Sequence, residues 1–535
     1  MTTDADSRRY PTALLFALFF LTLFVLHISL LRLPYFWDEA GYYVPAARDL
    51  LLSGSLIPYS TPSNAHPPLV LTYLALVWKI VGYAPVVTRT AMLGIAAFSL
   101  LGIFRVAERV ANIEVAIAST ICSALYPIFF VQSSMALLDM AAAGFTFWGL
   151  LAYVEGRRWS MALWFSLGVL SKETAILAPL ALFAWEVVSA KLLLRGAAIQ
   201  RCEVRLVNLP GALAPARERR TFLALLTPLL PLCFWYAYHW FRTGFIFGNP
   251  EFLRYNVQAT LHPLRILLAL GLRLWQLLAY MGMYLLTLAA AASLWMPPLS
   301  DNGKERRRIP LHVQFAFLAV ILAYVVALAV IGGAVLARYM LPVVPLVIII
   351  FVSTLRRRVP YWRFVTGIVV LGFVISLFVN PNYGFSFEDN LAYRDYILLH
   401  QQAETILEAR YPMARVLTAW PADDEIRRPY LGYVTRPMRV VLIEDFTAEQ
   451  LSSATKLHSE FDVALVFSTK YQPPHPWLEG WRQWQEWKRE YFGYHRDLPP
   501  SAAAQFLAGQ LVYNDSSDGQ WVGIIAFPEE ITPHH

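Results

Sequence analysis

Residues 13–43 read ALLFALFFLTLFVLHISLLRLPYFWDEAGYY, and this stretch decides the fold class. The apolar run from Ala13 to Leu31 is about long enough to cross the hydrocarbon core of a bilayer as a helix. Directly after it, Asp38 and Glu39 stand side by side among aromatic residues. The stretch therefore predicts a membrane helix that ends close to a pair of carboxylates.

The composition extends this interpretation to most of the chain. Of its 535 residues, 57% are hydrophobic and 15% are charged, with a mean hydropathy of +0.47, which is typical of a polytopic membrane protein. The net charge of +7 comes from short basic clusters between apolar runs, so no nucleic-acid partner is expected. Cys122, Cys202 and Cys233 lie in or between predicted membrane segments and imply no disulfide framework.

The basic clusters set the predicted topology, because they are expected in the cytoplasm where they flank short loops. These clusters are Arg8-Arg9, Arg105 to Arg109, Arg157-Arg158, Lys191 to Arg220, Lys304 to Arg308 and Arg356 to Arg358. The apolar runs between them cover about residues 13–31, 86–105, 113–131, 139–154, 160–171, 173–190, 221–241, 268–296, 312–333, 339–355 and 361–380. We expect about eleven crossings of the plasma (inner) membrane, with a cytoplasmic N-terminus and an outer C-terminus. The first run is too long for a secretory signal and is expected to be retained.

Residues 68–82, PLVLTYLALVWKIVG, do not fit this count as a crossing. A crossing here would move the basic residues of 105–109 and 157–158 outside. Since the segment is short and carries Lys79, we predict an interfacial or re-entrant helix within a first outer loop of about residues 32–85. The alternative is that it does cross and that a weaker segment, such as 160–171, does not.

Charged residues become frequent after Asn380, and no later run is long enough to span a membrane. We therefore predict two domains, a membrane domain over 1–380 and an extracytoplasmic domain over 381–535. In the second, apolar runs alternate with segments of helical spacing, which is an α/β pattern. The runs predicted as strands are 415–420, 439–445, 462–468 and 522–527. Residues 477–494, rich in tryptophan and tyrosine, fit either a helix on the membrane surface or the aromatic core of this domain.

Within the predicted membrane domain, few ionisable residues are expected outside or at the outer membrane boundary, and such residues are usually functional. They are Asp38, Glu39, His66, Arg89, Asp139, Lys172, Glu173 and Arg338. Acids and bases from separate helices would thus lie at a similar depth. That arrangement predicts a pocket for a phosphate-bearing substrate with a catalytic carboxylate.

Several of these residues also have a purely structural interpretation. Asp38 and Asp139 both suit helix N-caps. Lys172 and Glu173 suit an exposed ion pair of little energetic weight. Arg338 suits a side chain that reaches out to the lipid head groups.

The motifs, in chain order, resemble those of the GT-C fold membrane glycosyltransferases, in particular the bacterial relatives of aminoarabinose transferase and protein O-mannosyltransferase. The residues that carry the resemblance are FWDEAGYY, HPPLVLTYLALVWKIVG, LLDMAAAGFTFWGLLAY, LGVLSKETAILAP and ARYMLPVVP, within residues 10 to 380. The resemblance implies transfer of a sugar from a polyprenyl-phosphate donor to a lipid, glycan or protein acceptor at the outer face.

The resemblance also implies roles for individual residues. Asp38 matches the general base, with Glu39 beside it, and Asp139 matches a second acid that organises the site. A second group of residues is implied in binding the donor, its phosphate above all: His66, Arg89, Lys172, Arg338 and Tyr339.

Elementary chemistry agrees with these roles. A base must deprotonate the acceptor, and cations must stabilise the departing phosphate. A single displacement at the anomeric carbon predicts inversion of its configuration. Aromatic residues of the first loop are candidates for stacking on the sugar: Phe36, Trp37, Tyr42 and Tyr43.

The sequence leaves two questions open: whether the protein binds a divalent metal, and whether it is an enzyme, a transporter or a sensor. Asp38, Glu39 and Asp139 offer oxygen ligands for a divalent metal, although no ligand spacing demands one. Aminoarabinose transferases have an acid and a lysine where this chain has Ala65 and His66, which departs from their metal-site pattern. A secondary transporter, or a membrane-anchored sensor with an outer ligand-binding domain, is the alternative function; the charges collected at one boundary favour the enzyme.

Overall fold

The computed structural model describes residues 10–202, 219–248, 250, 254, 257–475, 478 and 480–527, with the backbone alone for 190–202, 219–222 and 258. The basic residues Arg8 and Arg9, and those of 203–218, lie outside the described residues. So does the side chain of Cys202. Cys122 is buried and Cys233 is exposed, and both are free thiols.

The membrane part is built from helices whose apolar residues continue through each element. Its α-helices are α1 (Thr12–Leu26), α2 (Val44–Ser53), α3 (Leu69–Val81), α4 (Pro85–Val110), α5 (Ile113–Leu125), α6 (Pro127–Gln132), α7 (Asp139–Val154), α8 (Arg158–Ser171), α9 (Leu177–Cys202), α10 (Arg219–Leu226), α11 (Leu229–Thr243), α12 (Pro263–Leu278), α13 (Met283–Ser293), α14 (Leu311–Val330), α15 (Val344–Arg358) and α16 (Trp362–Phe378). A short hairpin of β1 (Ser300–Asp301) and β2 (Lys304–Glu305) joins α13 to α14.

Every apolar run predicted to cross contains a helix, but several runs are interrupted. The run 268–296 breaks between α12 and α13, where Met281 and Gly282 have φ angles of 47° and 84°. Within the described residues, three helices are long and apolar enough to cross a membrane by length and composition: Pro85–Val110, Pro263–Ser293 and Leu311–Val330. The chain is a helical membrane protein, and the count of eleven crossings stays a prediction.

Helix α3 is the segment that the predicted topology leaves out of the crossings. One face is buried against α2 and α4, where Trp78 Nε1 donates a hydrogen bond to Thr88 Oγ1 at 2.9 Å. The other face leaves Leu76, Ile80 and Val81 exposed. An apolar helix that is half buried and half exposed agrees with either position relative to the membrane.

The C-terminal part contains a five-stranded mixed sheet covered by helices. Its strands are β3 (Arg415–Ala419), β4 (Arg439–Ile443), β5 (Val463–Phe467), β6 (Gln510–Ser517) and β7 (Gln520–Ala526), and its α-helices are α17 (Ala392–Arg410), α18 (Ala422–Arg427), α19 (Ala448–Ala454), α20 (Arg482–Phe492) and α21 (Pro500–Phe506). The strand order is β4-β3-β5-β7-β6, parallel across the first three and antiparallel across the last three. The four predicted runs form β3, β4, β5 and β7.

The first outer loop and the C-terminal part share one hydrophobic core. Phe36 packs edge-on against Tyr396 of α17, with ring centroids 5.2 Å apart. Tyr433 Oη donates a hydrogen bond to the Tyr35 carbonyl at 3.0 Å, and Arg428 donates to the Ser60 carbonyl at 2.6 Å. The loop that carries the acid pair is therefore held between the helices and the sheet.

Helix α20 lies within the tryptophan-rich stretch that the sequence left with two interpretations. None of its residues is buried, so the aromatic-core interpretation is wrong for this helix. Its C-terminal end contacts the start of α12: Tyr491 stacks on His262 at 5.0 Å, and Arg265 lies 5.7 Å from the Phe492 ring. Its placement on the membrane surface stays a prediction.

Candidate active site

A cavity of about 510 Å³ opens where the first outer loop, the segment before α15 and the C-terminal part meet. These regions bring acids, bases and aromatic rings to one wall. The lining residues are Phe36, Trp37, Asp38, Tyr42, Tyr43, Asn64, His66, Ala334, Leu336, Arg338, Tyr339, Phe385, Ser386, Phe387, Glu388, Trp420, Thr469, Lys470 and Tyr471. All four aromatic residues predicted to stack on a sugar are among them.

Asp38 lines this cavity and directly precedes a π-helical turn over Glu39–Tyr43. Its carboxylate makes no capping hydrogen bond to that turn, so the N-cap interpretation is wrong. Instead it pairs with the guanidinium of Arg338. With 22% of its side chain exposed, Asp38 is the more exposed of the two carboxylates that line the cavity, since Glu388 is 3% exposed.

Arg338 is the centre of the charged network. Its side chain is 2% exposed and pairs with Asp38 and with Glu388, while its Nε lies 3.5 Å from Asp139 Oδ2. A cation buried among three carboxylates does not reach the lipid head groups, which excludes that alternative. Arg338 therefore joins the first loop, α7 and the segment after α16 at one point.

Lys172 and Asp139 form a buried ion pair next to this centre. Lys172 Nζ donates to Asp139 Oδ1 at 2.7 Å, and Nζ also lies 4.0 Å from the centroid of the Tyr339 ring. Both carboxylate oxygens of Asp139 thus face cations, Lys172 on one side and Arg338 on the other. The helix-cap interpretation of Asp139 and the exposed-pair interpretation of Lys172 are both wrong.

His66 lies on the cavity wall and interacts with Glu173, which follows Lys172 in the chain. Its Nδ1 is 2.9 Å from Glu173 Oε2, and its ring lies 6.0 Å from that of Tyr43. The histidine is therefore placed against the cavity by an acid of the predicted site. Its part in substrate binding stays a prediction.

The structure separates Glu39 and Arg89 from the cavity. Both side chains are fully buried and pair with each other at 3.4 Å. Glu39 accepts hydrogen bonds from the Phe36 and Ala136 amides at 2.9 and 2.6 Å, while Arg89 donates to the Leu33 carbonyl at 3.1 Å. Neither residue lines the cavity, in contrast to the direct roles predicted for them; their contacts hold the ends of the first loop in place.

The three predicted metal ligands are not brought together. Asp38 and Asp139 face Arg338, and Glu39 points toward Arg89. Among the described residues, the acids and histidines close enough to share an ion are His400, Glu404 and Glu425, in the C-terminal part. The cavity carboxylates are thus arranged around cations of the protein itself.

Sequence reasoning missed the site residues that follow the last apolar run. Glu388 contacts Arg338 and is 3% exposed, and its burial raises its pKa to about 8. Lys470 and Trp420 complete the wall from the C-terminal part, where burial lowers the pKa of Lys470. The acid pair Glu388-Asp389, directly after an apolar run as Asp38-Glu39 is, was the available signal.

Comparisons with known proteins were made for the whole chain. No protein-family model and no curated protein sequence matches it. Among solved structures, it is similar to ArnT from Cupriavidus metallidurans bound to undecaprenyl phosphate, at a TM-score of 0.50 and 13% identity over 96% of this chain and 97% of that chain. The Archaeoglobus fulgidus oligosaccharyltransferase in complex with Zn and sulfate gives a TM-score of 0.44 and 12% identity over 85% of this chain and 68% of that chain.

The likeness to ArnT, an aminoarabinose transferase, extends over nearly all of both chains and includes the C-terminal part. At this level of identity it establishes the fold. Together with the apolar helices, it places the chain among integral membrane proteins. The chain has the GT-C fold, as its motifs predict.

Proposed function

We propose that this protein is an inverting glycosyltransferase that moves a sugar from a polyprenyl-phosphate donor to a hydroxyl of a lipid, glycan or protein acceptor at the outer face of the membrane. The observation that carries the proposal is Asp38, a carboxylate exposed to a cavity and held there by the buried Arg338. ArnT, which has the same fold, is bound to undecaprenyl phosphate, and this supports a lipid-phosphate donor.

In the proposed reaction, the acceptor oxygen attacks the anomeric carbon as its proton passes to Asp38. The bond between that carbon and the phosphate oxygen breaks, and the lipid phosphate leaves with the electron pair. Because one displacement occurs, the anomeric configuration inverts. General-base assistance of this kind typically contributes about 10² to 10⁴ in rate.

The leaving phosphate needs positive charge. In this proposal Arg338, which lines the cavity, supplies it directly, and Lys172 adds to it from behind the wall through Asp139, which both cations contact. Both cations are buried, where a charge–charge interaction is stronger than in bulk water. Guanidinium groups match phosphate oxygens geometrically, so Arg338 can exchange part of its carboxylate contact for the substrate. Tyr339 fixes the position of Lys172 through its ring.

In this proposal, the sugar stacks on the cavity-facing surface of an aromatic cluster that both sides of the cavity contribute to. Trp37 and Trp420 lie edge to face with ring centroids 5.1 Å apart, and Tyr42 lies 5.8 Å from Trp420. One of these rings comes from the C-terminal part, so that part contributes directly to substrate binding.

The test is transfer of radiolabelled sugar from a panel of polyprenyl-phosphate sugars to envelope fractions, with purified wild type, Asp38→Asn and Asp301→Asn. Asp301 is an acid of the β1–β2 hairpin that pairs with Arg306 and takes no part in the cavity. We expect Asp38→Asn to lose at least about 100-fold in rate, while Asp301→Asn keeps wild-type activity. Full activity of a folded Asp38→Asn protein would remove the base from the mechanism.

A wild-type protein that consumes no donor in a broad panel would overturn the proposed reaction. Uptake of labelled substrate into proteoliposomes would then test the transporter alternative. The fold does not favour that alternative.

A further inference from the structure

A second cluster of ionisable side chains lies in the C-terminal part, outside the cavity. His400 and Glu404 stand one turn apart on α17, and Glu425 reaches them from α18. His400 Nδ1 is 2.7 Å from Glu425 Oε2 and 3.6 Å from Glu404 Oε1. One ligand atom from each of the three residues lies within 4.8 Å of the other two.

The cluster is buried and incompletely satisfied. Glu404 and Glu425 are fully buried and His400 is 2% exposed. With both acids ionised, neither carboxylate oxygen of Glu404 has a hydrogen-bond donor among the described residues, and Oε1 of Glu425 also lacks one. The two carboxyl groups lie close enough to share one proton. A buried carboxylate without partners is costly unless it is protonated or bound to a cation.

We propose that His400, Glu404 and Glu425 bind a divalent first-row transition-metal ion such as Zn²⁺. Two carboxylates and one neutral imidazole are common ligands for such ions, and two negative charges balance the ion. The proposal is independent of the glycosyltransferase function, since none of the three ligands lines the cavity.

The distances fit the ion after a small adjustment. Two ligands about 2.1 Å from zinc, at tetrahedral angles, are about 3.4 Å apart. The separation of 3.6 Å between His400 and Glu404 is close to this value. The 2.7 Å contact between His400 and Glu425 must open by about 0.7 Å, which a side-chain rotation supplies.

Without the ion, the cluster keeps a proton instead. Burial and the neighbouring Glu425 carboxylate raise the pKa of Glu404 well above its usual range. The zinc-free state of the protein, which the experiment compares with the zinc-bound state, is the cluster with this proton bound.

The cluster lies close to the aromatic residues that line the cavity. The His400 ring stacks on Tyr396 at 3.9 Å, and Tyr396 lies 5.7 Å from Trp37, which lines the cavity. Helix α18 begins two residues after Trp420, another residue of the cavity wall. A metal that joins α17 to α18 would stabilise the aromatic wall of the cavity from behind.

The experiment measures bound zinc in the full chain. Detergent-purified protein is treated with a chelator, equilibrated with ZnCl₂, freed of loose ion by gel filtration and analysed by elemental mass spectrometry. Glu404→Gln keeps the shape of the protonated side chain and is expected to fold. The matched control is Glu449→Gln, which changes an exposed acid of α19.

We expect wild type and Glu449→Gln to retain one more zinc ion per chain than Glu404→Gln. Zinc should raise the midpoint temperature of heat denaturation in wild type and Glu449→Gln, because the ion binds the folded state. The midpoint of Glu404→Gln should rise less. Equal zinc in wild type and a folded Glu404→Gln protein would place any bound ion elsewhere and overturn the proposal. Failure of wild type to retain zinc would overturn it as well, since carboxylate and imidazole ligands suit zinc.

Discussion

Arg338 and Glu388 show how one buried pair sets the charge of the site. The burial that raises the pKa of Glu388 to about 8 favours the protonated acid near neutral pH. When Glu388 is protonated, Arg338 has one anionic partner fewer, which would leave its guanidinium freer to bind a phosphate. Glu388 thus adjusts the cation that the proposed reaction depends on.

A pH dependence of stability follows from this pair. Between the unfolded pKa of 4.5 and about 8, the folded chain binds one more proton at Glu388 than the unfolded chain does. Stability therefore falls as pH rises through this range, by up to about 1.4 kcal/mol per unit. We expect the midpoint of heat denaturation to fall more between pH 6 and 8 in wild type than in Glu388→Gln, which has no such proton to lose. Parallel curves for the two proteins would show that Glu388 titrates normally.

The types and order of the residues predicted which charged side chains come together near the cavity. They did not predict which of those side chains are buried. Asp38, Asp139, Lys172 and Arg338 meet in one network because their helices end at a common level. Glu39 and Asp38 are adjacent acids, but the backbone directs their side chains to different places: Asp38 lines the cavity, and Glu39 is buried against Arg89. The local sequence could not show that its carboxylate points into the protein rather than into the cavity.

At the scale of elements, the π-helical turn over Glu39–Tyr43 packs directly on the C-terminal part. A Cβ atom on Gly41 would lie 2.7 Å from Trp420 Nε1 and 2.9 Å from its Cζ2, closer than real contacts allow. The turn and the tryptophan can come this close only because residue 41 has no side chain.

We expect Gly41→Ala to displace Trp420 and to lower sugar transfer several-fold, mainly through a higher KM. Overpacking of this size typically costs about 1 to 3 kcal/mol. Gly271→Ala, in α12, is the control, since nothing lies within 4 Å of the added atom. Steady-state kinetics of both variants decide the matter; unchanged kinetics in Gly41→Ala would mean that Trp420 does not contact substrate.

Elements were predicted best where the hydrophobic pattern is long and least well where it is mixed. The strands β3, β4, β5 and β7 are apolar runs, and β5 is buried along its whole length. Strand β6, QLVYNDSS, pairs at the sheet edge and carries polar residues in its second half, so its sequence gives little strand signal. The contact between α20 and α12 joins residues far apart in sequence and has no local pattern at all.

At the scale of the whole molecule, the predicted topology is open to a direct labelling test. In a chain whose native cysteines are replaced by serine, single cysteines are placed at Ser501, Lys79 and Asn302. All three positions are exposed, the last in the β1–β2 hairpin. The positive-inside rule places the hairpin in the cytoplasm and the other two positions outside.

With a maleimide that does not cross membranes, we expect intact cells to label Ser501→Cys and Lys79→Cys but not Asn302→Cys. Lysed cells should label all three. Protection of Lys79→Cys in intact cells would show that α3 crosses the membrane. Protection of Ser501→Cys would reverse the predicted orientation of the C-terminal part.

The contact between Asp38 and Arg338 also has a consequence for the synthesis of the protein on the ribosome. The two residues are 300 positions apart, so the aspartate is made about 15 to 60 seconds before its partner at ordinary elongation rates. During that interval the aromatic residues around it lack the C-terminal surface that covers them in the finished chain. An incomplete chain therefore lacks the assembled cavity and exposes apolar surface, which makes it prone to aggregate and a substrate for chaperones.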